Sequence, residues 1–363
     1  MRLVKPFFFA STLFASATFG AQAQVKVVTS IKPVHSLVAA VMDGVGMPYL
    51  IIEGAGSPHT YALKPSQAQK LETADLVFWM GHELEAFLEK PLEAIATRAK
   101  TIELLDAHGL TKLKFREGGA FDDHDHDDEE HGEEHSDDHD EEKHEEHDDG
   151  DKHADNKHAD DKHADHDHDD DKHDGDEHAE KHEGDEHKHG SFDPHVWLDP
   201  INAKALIHEI EETLVEADPA NAAKYQANAK SVSDKLDELT AEVAAQLEPV
   251  KSKPFVVFHD AYQNFEQRFG LSAIGSITVS PETMPGAERI RELQTKINEL
   301  NANCVFSEPQ FDPKLVVTVS QGTQARTGVL DPLGTSIEDG RELYFKLIRN
   351  MATAIKDCLQ EAK

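Results

Sequence analysis

An α/β fold with two lobes is what this 363-residue sequence predicts, and three observations carry it. Short β-rich runs alternate with helix-like stretches in the N-terminal part, the same alternation restarts after Pro254, and one long amphipathic run separates the two sets. Strand–helix alternation is the signature of a parallel sheet with helices on its faces.

The first set comprises β-rich residues 26–30, 49–52, 76–79 and 101–104, with helical patterns at 66–73 and 83–96 between them. The separating run opens at Asp218-Pro219, read as an N-cap followed by proline at the first helical position. Ala222, Tyr225, Ala229, Val232, Leu236, Leu239, Val243 and Leu247 then follow at spacings of three and four. A helix over 221–247 would span roughly 40 Å, longer than one small domain needs, so it is read as a rigid link. Pro249 and Pro254 bracket the break after it, and residues 255–258, 271–277, 304–306 and 328–330 form the second set of strands. The expected boundaries are therefore 24–217 for the N-terminal lobe, 218–248 for the linking helix and 249–363 for the C-terminal lobe.

Two segments stand outside this frame. Residues 1–23 have the form of an export signal: Arg2 and Lys5 precede an apolar stretch over 7–19, and Ala21-Gln22-Ala23 is a small-residue cleavage pattern. Cleavage near Ala23 would leave a mature chain starting near Gln24, with no later run long enough to span a bilayer. Residues 121–190 hold 17 of the 24 His, 34 acidic residues and 7 Lys, which gives this tract −27 of the net −35. Without apolar residues to bury, such a segment is expected to be a disordered insertion in the N-terminal lobe. A His every few residues among carboxylates offers many weak, interchangeable metal sites, and the five-residue repeat of Lys-His-Ala-Asp from Lys152 suits capacity better than a shaped site.

Seven His lie elsewhere, and three have distinctive settings. His259 follows the apolar run 255–258, at the carboxyl end where open parallel sheets place ligands. His59 closes the loop Gly54-Ala55-Gly56-Ser57-Pro58-His59 beyond the second strand, and His195 sits in a proline-bracketed turn with Trp197 as apolar anchor. Three neutral imidazoles from separate loops suit Zn²⁺, with a carboxylate or water as fourth ligand; Asp331, which ends a strand in Leu330-Asp331-Pro332, is the candidate carboxylate. Glu308 and Gln310 also end a strand and are expected to orient imidazoles by hydrogen bonds. His82 and His208 are read as structural or solvent-exposed, and so is His35, the one of these three nearest to a supporting role, while His108 has no distinguishing context. Cys304 and Cys358 are the only two cysteines; in an exported chain a bridge between them is expected, the alternative being two buried free thiols.

The segments Ser57-Pro58-His59-Thr60-Tyr61, Leu63-Lys64-Pro65-Ser66, Asp193-Pro194-His195-Val196-Trp197-Leu198-Asp199-Pro200, His259-Asp260-Ala261-Tyr262 and Asp331-Pro332-Leu333-Gly334 together resemble one family. It is the solute-binding, zinc-binding component of ZnuABC-type ABC importers, in the metal-binding cluster A-I group. The resemblance covers essentially the whole mature chain. It implies two (βα)₄ lobes joined by a backbone helix, a metal cleft between them holding Zn²⁺ as transported ligand, and delivery to a membrane permease from the periplasm. Manganese-binding relatives carry a carboxylate at the position of His259, so the imidazole here favours zinc; Pro58 stands where some zinc members have an acidic residue.

Two other readings compete with zinc capture for transport. A zinc hydrolase would also use three His and an open position, but no His-Glu-x-x-His pattern or adjacent general base is present. A periplasmic zinc buffer acting through the tract alone would not require two lobes. The protein is expected not to be an enzyme, to have no nucleic-acid partner and to act as a monomer.

Overall fold

In the computed structural model, residues 24–116, 192–278, 281 and 284–360 are described. The expected export signal and the His-rich tract lie outside the described residues.

The first sheet is built from β1 (Val27–Thr29), β2 (Tyr49–Leu50), β3 (Leu76–Trp79) and β4 (Lys100–Glu103), all parallel, in the order β2-β1-β3-β4. The second contains β5 (Phe255–His259), β6 (Ala273–Thr278), β7 (Cys304–Ser307) and β8 (Arg326–Val329), again parallel, in the equivalent order β6-β5-β7-β8. In the N-terminal lobe, α1 (Lys32–Val41), α2 (Pro65–Glu72) and α3 (His82–Ala94) connect the strands, and α4 (Pro200–Ala217) follows β4 beyond residues 117–191. In the C-terminal lobe the helices are α6 (Gln263–Phe269), α7 (Ala287–Glu299), α8 (Lys314–Ser320) and α9 (Leu343–Leu359).

Between the lobes runs α5 (Ala222–Leu247), 26 residues and so about 39 Å long. It buries Tyr225, Ala229, Val232, Leu236, Leu239, Val243 and Leu247, the period-3.6 stripe of the sequence. The stripe packs on α4 and α1 of one lobe and on α9 and α6 of the other. The helix start differs from the expected cap: Pro219–Asn221 is a 3₁₀ turn, and the Asp218 carboxylate accepts from Asn221 Nδ2 (2.7 Å) and the Tyr225 hydroxyl (2.9 Å) instead of capping backbone. A side-chain cap does form at α4, where Asp199 Oδ1 accepts from Ile201 N at 2.8 Å.

One apolar cluster extends from Val28 and Phe78 of the first sheet through Leu236 and Leu239 to Phe255 and Phe306 of the second. Strand side chains alternate between faces, so Val256 and Phe258 of β5 point instead into a second cluster with Ile277, Leu293 and Val316 under α7 and α8. Polar bonds reinforce the shared core: buried Lys32 donates to the carbonyls of Thr335 (3.2 Å) and Ile337 (2.8 Å), and Tyr344 N donates to Ser36 Oγ at 2.9 Å. Cys304 and Cys358 form a disulfide that ties α9 to β7. Enclosing a separation of 54 residues, it contributes on the order of 4 kcal/mol in the loop-entropy model.

Leu239→Ala, at a fully buried position of α5, is expected to cost about 2–5 kcal/mol. Because its core belongs to both lobes, urea unfolding followed by circular dichroism and by fluorescence should shift as one transition; two separated transitions would show that the lobes do not share a core.

Candidate metal centre

Three chain segments meet at the carboxyl ends of the two sheets. β5 is buried along its whole length, and its last residue is His259, 4 % exposed. His59 lies in the loop after β2. Gly54 takes a positive φ of 66° there, and at Gly56 a Cβ would come within 2.9 Å of Ile52 and 3.0 Å of Tyr61. The loop is folded back by Gln67 of α2, whose Nε2 donates to Ile51 O (2.6 Å) and to the Tyr61 hydroxyl (2.9 Å). His195 precedes the 3₁₀ turn Val196–Leu198. Trp197 in that turn is fully buried and its indole N–H donates to Pro332 O at 2.9 Å, while the Tyr344 hydroxyl donates to Trp197 O at 2.6 Å. The turn is thus fastened to the opposite lobe on two sides.

The three imidazoles converge. Ring centroids are 5.5 Å apart for His59 and His195, 5.6 Å for His59 and His259, and 5.3 Å for His195 and His259. One nitrogen from each ring lies within 4.8 Å of the others. His195 Nδ1 is 2.7 Å from Asp193 Oδ1, and His259 Nδ1 is 2.7 Å from Glu308 Oε1. A carboxylate accepts, so each Nδ1 carries the hydrogen and each Nε2 presents a lone pair. The two Nε2 atoms face each other at 3.4 Å. Two tetrahedral ligands at about 2.05 Å from one Zn²⁺ would stand about 3.3 Å apart, so this pair is already spaced for one such ion.

Burial dominates the electrostatics. It pushes the His59 imidazole down to about 2, with His195 and His259 adding to the effect, and holds His195 well below the ordinary 6.5. Both are therefore neutral and ready to donate. For His259 burial also acts downward, but the touching Glu308 and the more distant Asp260 and Asp193 together raise it above 6.5. Burial raises the Asp193 carboxyl to about 7, against the His195 backbone N–H and Arg116, which favour its charge. The two facing Nε2 atoms are the arrangement that a bound cation would bridge.

Asp331 does not join the three His. Its Oδ1 accepts from Leu333 N (3.2 Å), Gly334 N (3.0 Å), Thr335 Oγ1 (3.1 Å) and Gln310 Nε2 (3.1 Å), and its Oδ2 from Thr335 N (2.6 Å). Both oxygens are thus spent on shaping the 331–335 loop. Gln310 accordingly braces Asp331 rather than an imidazole, while Glu308 does orient a ligand candidate as expected. His35 is buried with Nε2 3.2 Å from Pro48 O, away from any supporting role. His208 and His108 are exposed, and His82 stands half-exposed beside Glu83 (3.3 Å) and Glu103 (3.7 Å). The residue that sequence reasoning passed over is Asp193, whose signal was its place two before His195 in Asp-Pro-His.

Comparison with known proteins identifies the family. The family model for zinc-uptake complex component A, periplasmic (ZnuA), matches residues 27–358. A protein of Brucella suis named high-affinity zinc uptake system protein ZnuA is 57 % identical over 335 residues, 92 % of each chain. One of the same name from Paracoccus denitrificans is 40 % identical over 346 residues, 95 % of each chain. Among solved structures, a crystal structure of ZnuA superposes with a TM-score of 0.67 at 20 % identity, covering 93 % of this chain and all of that one. The laminin-binding adhesin of Streptococcus agalactiae does so with 0.65 at 22 %, again covering 93 % of this chain and all of that one. The chain therefore belongs to the ZnuA family, the periplasmic component A of zinc-uptake complexes.

Proposed function

We propose that this protein captures Zn²⁺ in the periplasm, after cleavage near Ala23, and hands it as a monomer to the permease of an ABC importer in the inner membrane. The observation that carries the reading is the pair of Nε2 atoms 3.4 Å apart, each on a ring whose Nδ1 is held by a buried carboxylate, with His59 completing the set. His59, His195 and His259 are the ligands in this reading. With Asp331 committed to its own loop, water takes the fourth position. Water is also the ligand a receiving site most readily displaces, which suits cargo better than a closed structural site. The names of the relatives support zinc over a harder ion, as does the all-nitrogen protein donor set.

The shared core leaves little room for a hinge between the lobes, so capture in this reading relies on a preformed cleft. Residues 121–190 add a second store, with many weak sites on one chain. A buffer acting through that tract alone would leave the ordered imidazole cluster without a purpose, and a hydrolase would need a general base beside the metal.

His59→Ala, His195→Ala and His259→Ala are each expected to abolish tight zinc binding in calorimetric titration. Asp193→Asn and Glu308→Gln should weaken it by about 10–100-fold, as losses of ligand-orienting carboxylates do. Asp331→Ala should cost the tight site less than any His→Ala; tight binding that survives His259→Ala would refute the site.

Affinity should fall on acidification. His259 is the imidazole held above 6.5, so protons compete with zinc as the pH drops through its raised value, from about neutrality toward pH 5. His59 and His195, held low, stay neutral over that range and add no protons to the exchange. Zinc should therefore bind more weakly at pH 5 than at pH 7.5; equal calorimetric affinity at the two would contradict this.

Deleting residues 122–189 should leave the tight site intact and remove the weak ones. The chain ends are already adjacent, since Lys114 and Phe192 form an antiparallel bridge and Asp193 N donates to Leu113 O at 2.8 Å. Closing a shorter loop changes entropy by only about 0.6 kcal/mol per halving of length. The deleted protein should bind about one Zn²⁺ against several for the full chain; loss of the tight site would place one of its ligands in the tract.

A further inference from the structure

The Arg116 side chain reaches from the N-terminal lobe to the C-terminal one. Its Nε donates to Asp260 Oδ1 and Oδ2 at 3.0 and 3.1 Å, with a further contact from Nη2 to Oδ1. Nη1 and Nη2 each donate to a different oxygen of Glu266 at 3.0 Å. The Arg116 side chain is 18 % exposed, and those of Asp260 and Glu266 are 7 % and 5 %. Glu266 also accepts from Ala273 N at the start of β6, and Asp260 directly follows His259.

Two carboxylates buried side by side require a counter-charge, and a planar guanidinium sharing several N–H bonds with both fixes position as well as charge. The segment bearing Arg116 is itself anchored: Thr111 exchanges two hydrogen bonds with Asn202, at 2.8 and 3.0 Å, and the Lys114–Phe192 bridge lays it beside the approach to His195. A rigid arm of one lobe thus grips the turn of the other that begins at His259.

We infer that Arg116 is a positioning residue for the zinc site: by clamping Asp260 it keeps His259 in register with His59 and His195. The inference rests on the zinc reading above. Two effects of removing the guanidinium oppose each other. As a cation near a dication it repels zinc, so charge alone would make its loss tighten binding. Its loss also leaves Asp260 and Glu266 uncompensated, which by charge again favours zinc but draws the 259–262 turn toward water. The positional effect dominates, and the sign of the change in affinity reports which is right.

The test uses the full-length, metal-free protein with Zn²⁺ as probe, in competition with a chromophoric chelator at sub-stoichiometric zinc so that weak sites stay empty. Thermal unfolding is followed with and without one equivalent of zinc. Arg116→Gln should weaken the tight site about tenfold, the lower end of what ligand-orienting residues contribute. It should also speed release to chelator and shrink the zinc-induced rise in Tm. Arg116→Lys keeps the charge but not the planar fork, so it should recover part of the affinity; it carries the comparison by itself, as a few-fold weakening, where the Gln variant does not fold. Affinity in either folded variant that is unchanged or tighter, or an equal Tm loss with and without zinc, would overturn the inference. If the wild type lacks a tight site, or His259→Ala retains it, the zinc reading itself fails and the clamp with it.

Discussion

Three lone pairs from three distant parts of the chain have to point at one spot, and the packing of the two lobes brings the three rings together there. His59 comes from a loop of the first sheet, His259 from the end of a strand in the second, and His195 from a turn between the lobes. Each is fastened by something other than a metal: Gln67 and Tyr61 pin the first loop, Trp197 and Tyr344 pin the turn, and the buried strand β5 carries the third. Beneath them one apolar core, with α5 as its axis, belongs to both lobes. A cleft founded on a shared core cannot open by hinge rotation without exposing that core. Selectivity is therefore expected to lie in preformed geometry, and release in displacement of the solvent ligand.

The electrostatics follow from the same burial. Taking three imidazoles out of water favours their neutral forms, which is the state a metal needs. It also brings like groups into contact, and the carboxylates of Asp193 and Glu308 then settle which nitrogen of two of the rings carries hydrogen. Glu308 sets His259 apart by raising it against the downward push of burial. One carboxylate thus both orients a ligand candidate and favours its protonated form.

Much of this was legible in the sequence because it rests on local pattern. The strand runs, the period of α5 and the three His at the ends of runs or in braced turns are features of neighbouring residues, and the structure places them together. Asp331 was misplaced for a physical reason. A carboxylate at a strand end signals either a ligand or a loop anchor, and the three backbone N–H groups of Leu333, Gly334 and Thr335 that decide the matter follow within four residues. Asp218 does precede the helical turn with Pro219 first in it, but its carboxylate is taken by Asn221 and by the Tyr225 hydroxyl seven residues on instead of capping backbone. Arg116 had no signal at all: its partners lie 144 and 150 residues away, and only the packing of the lobes brings them within reach.

In the proposed site one zinc ion sits on His59, His195 and His259. An anomalous difference map at the zinc edge, from crystals of the full-length protein loaded with one equivalent of Zn²⁺, tests it most directly. The account predicts a single dominant peak about 2.0–2.1 Å from one nitrogen of each of the three rings, with a water-sized feature completing a tetrahedron and the Asp331 carboxylate still on its own loop. A dominant peak elsewhere, or one lacking any of the three imidazoles, would contradict it.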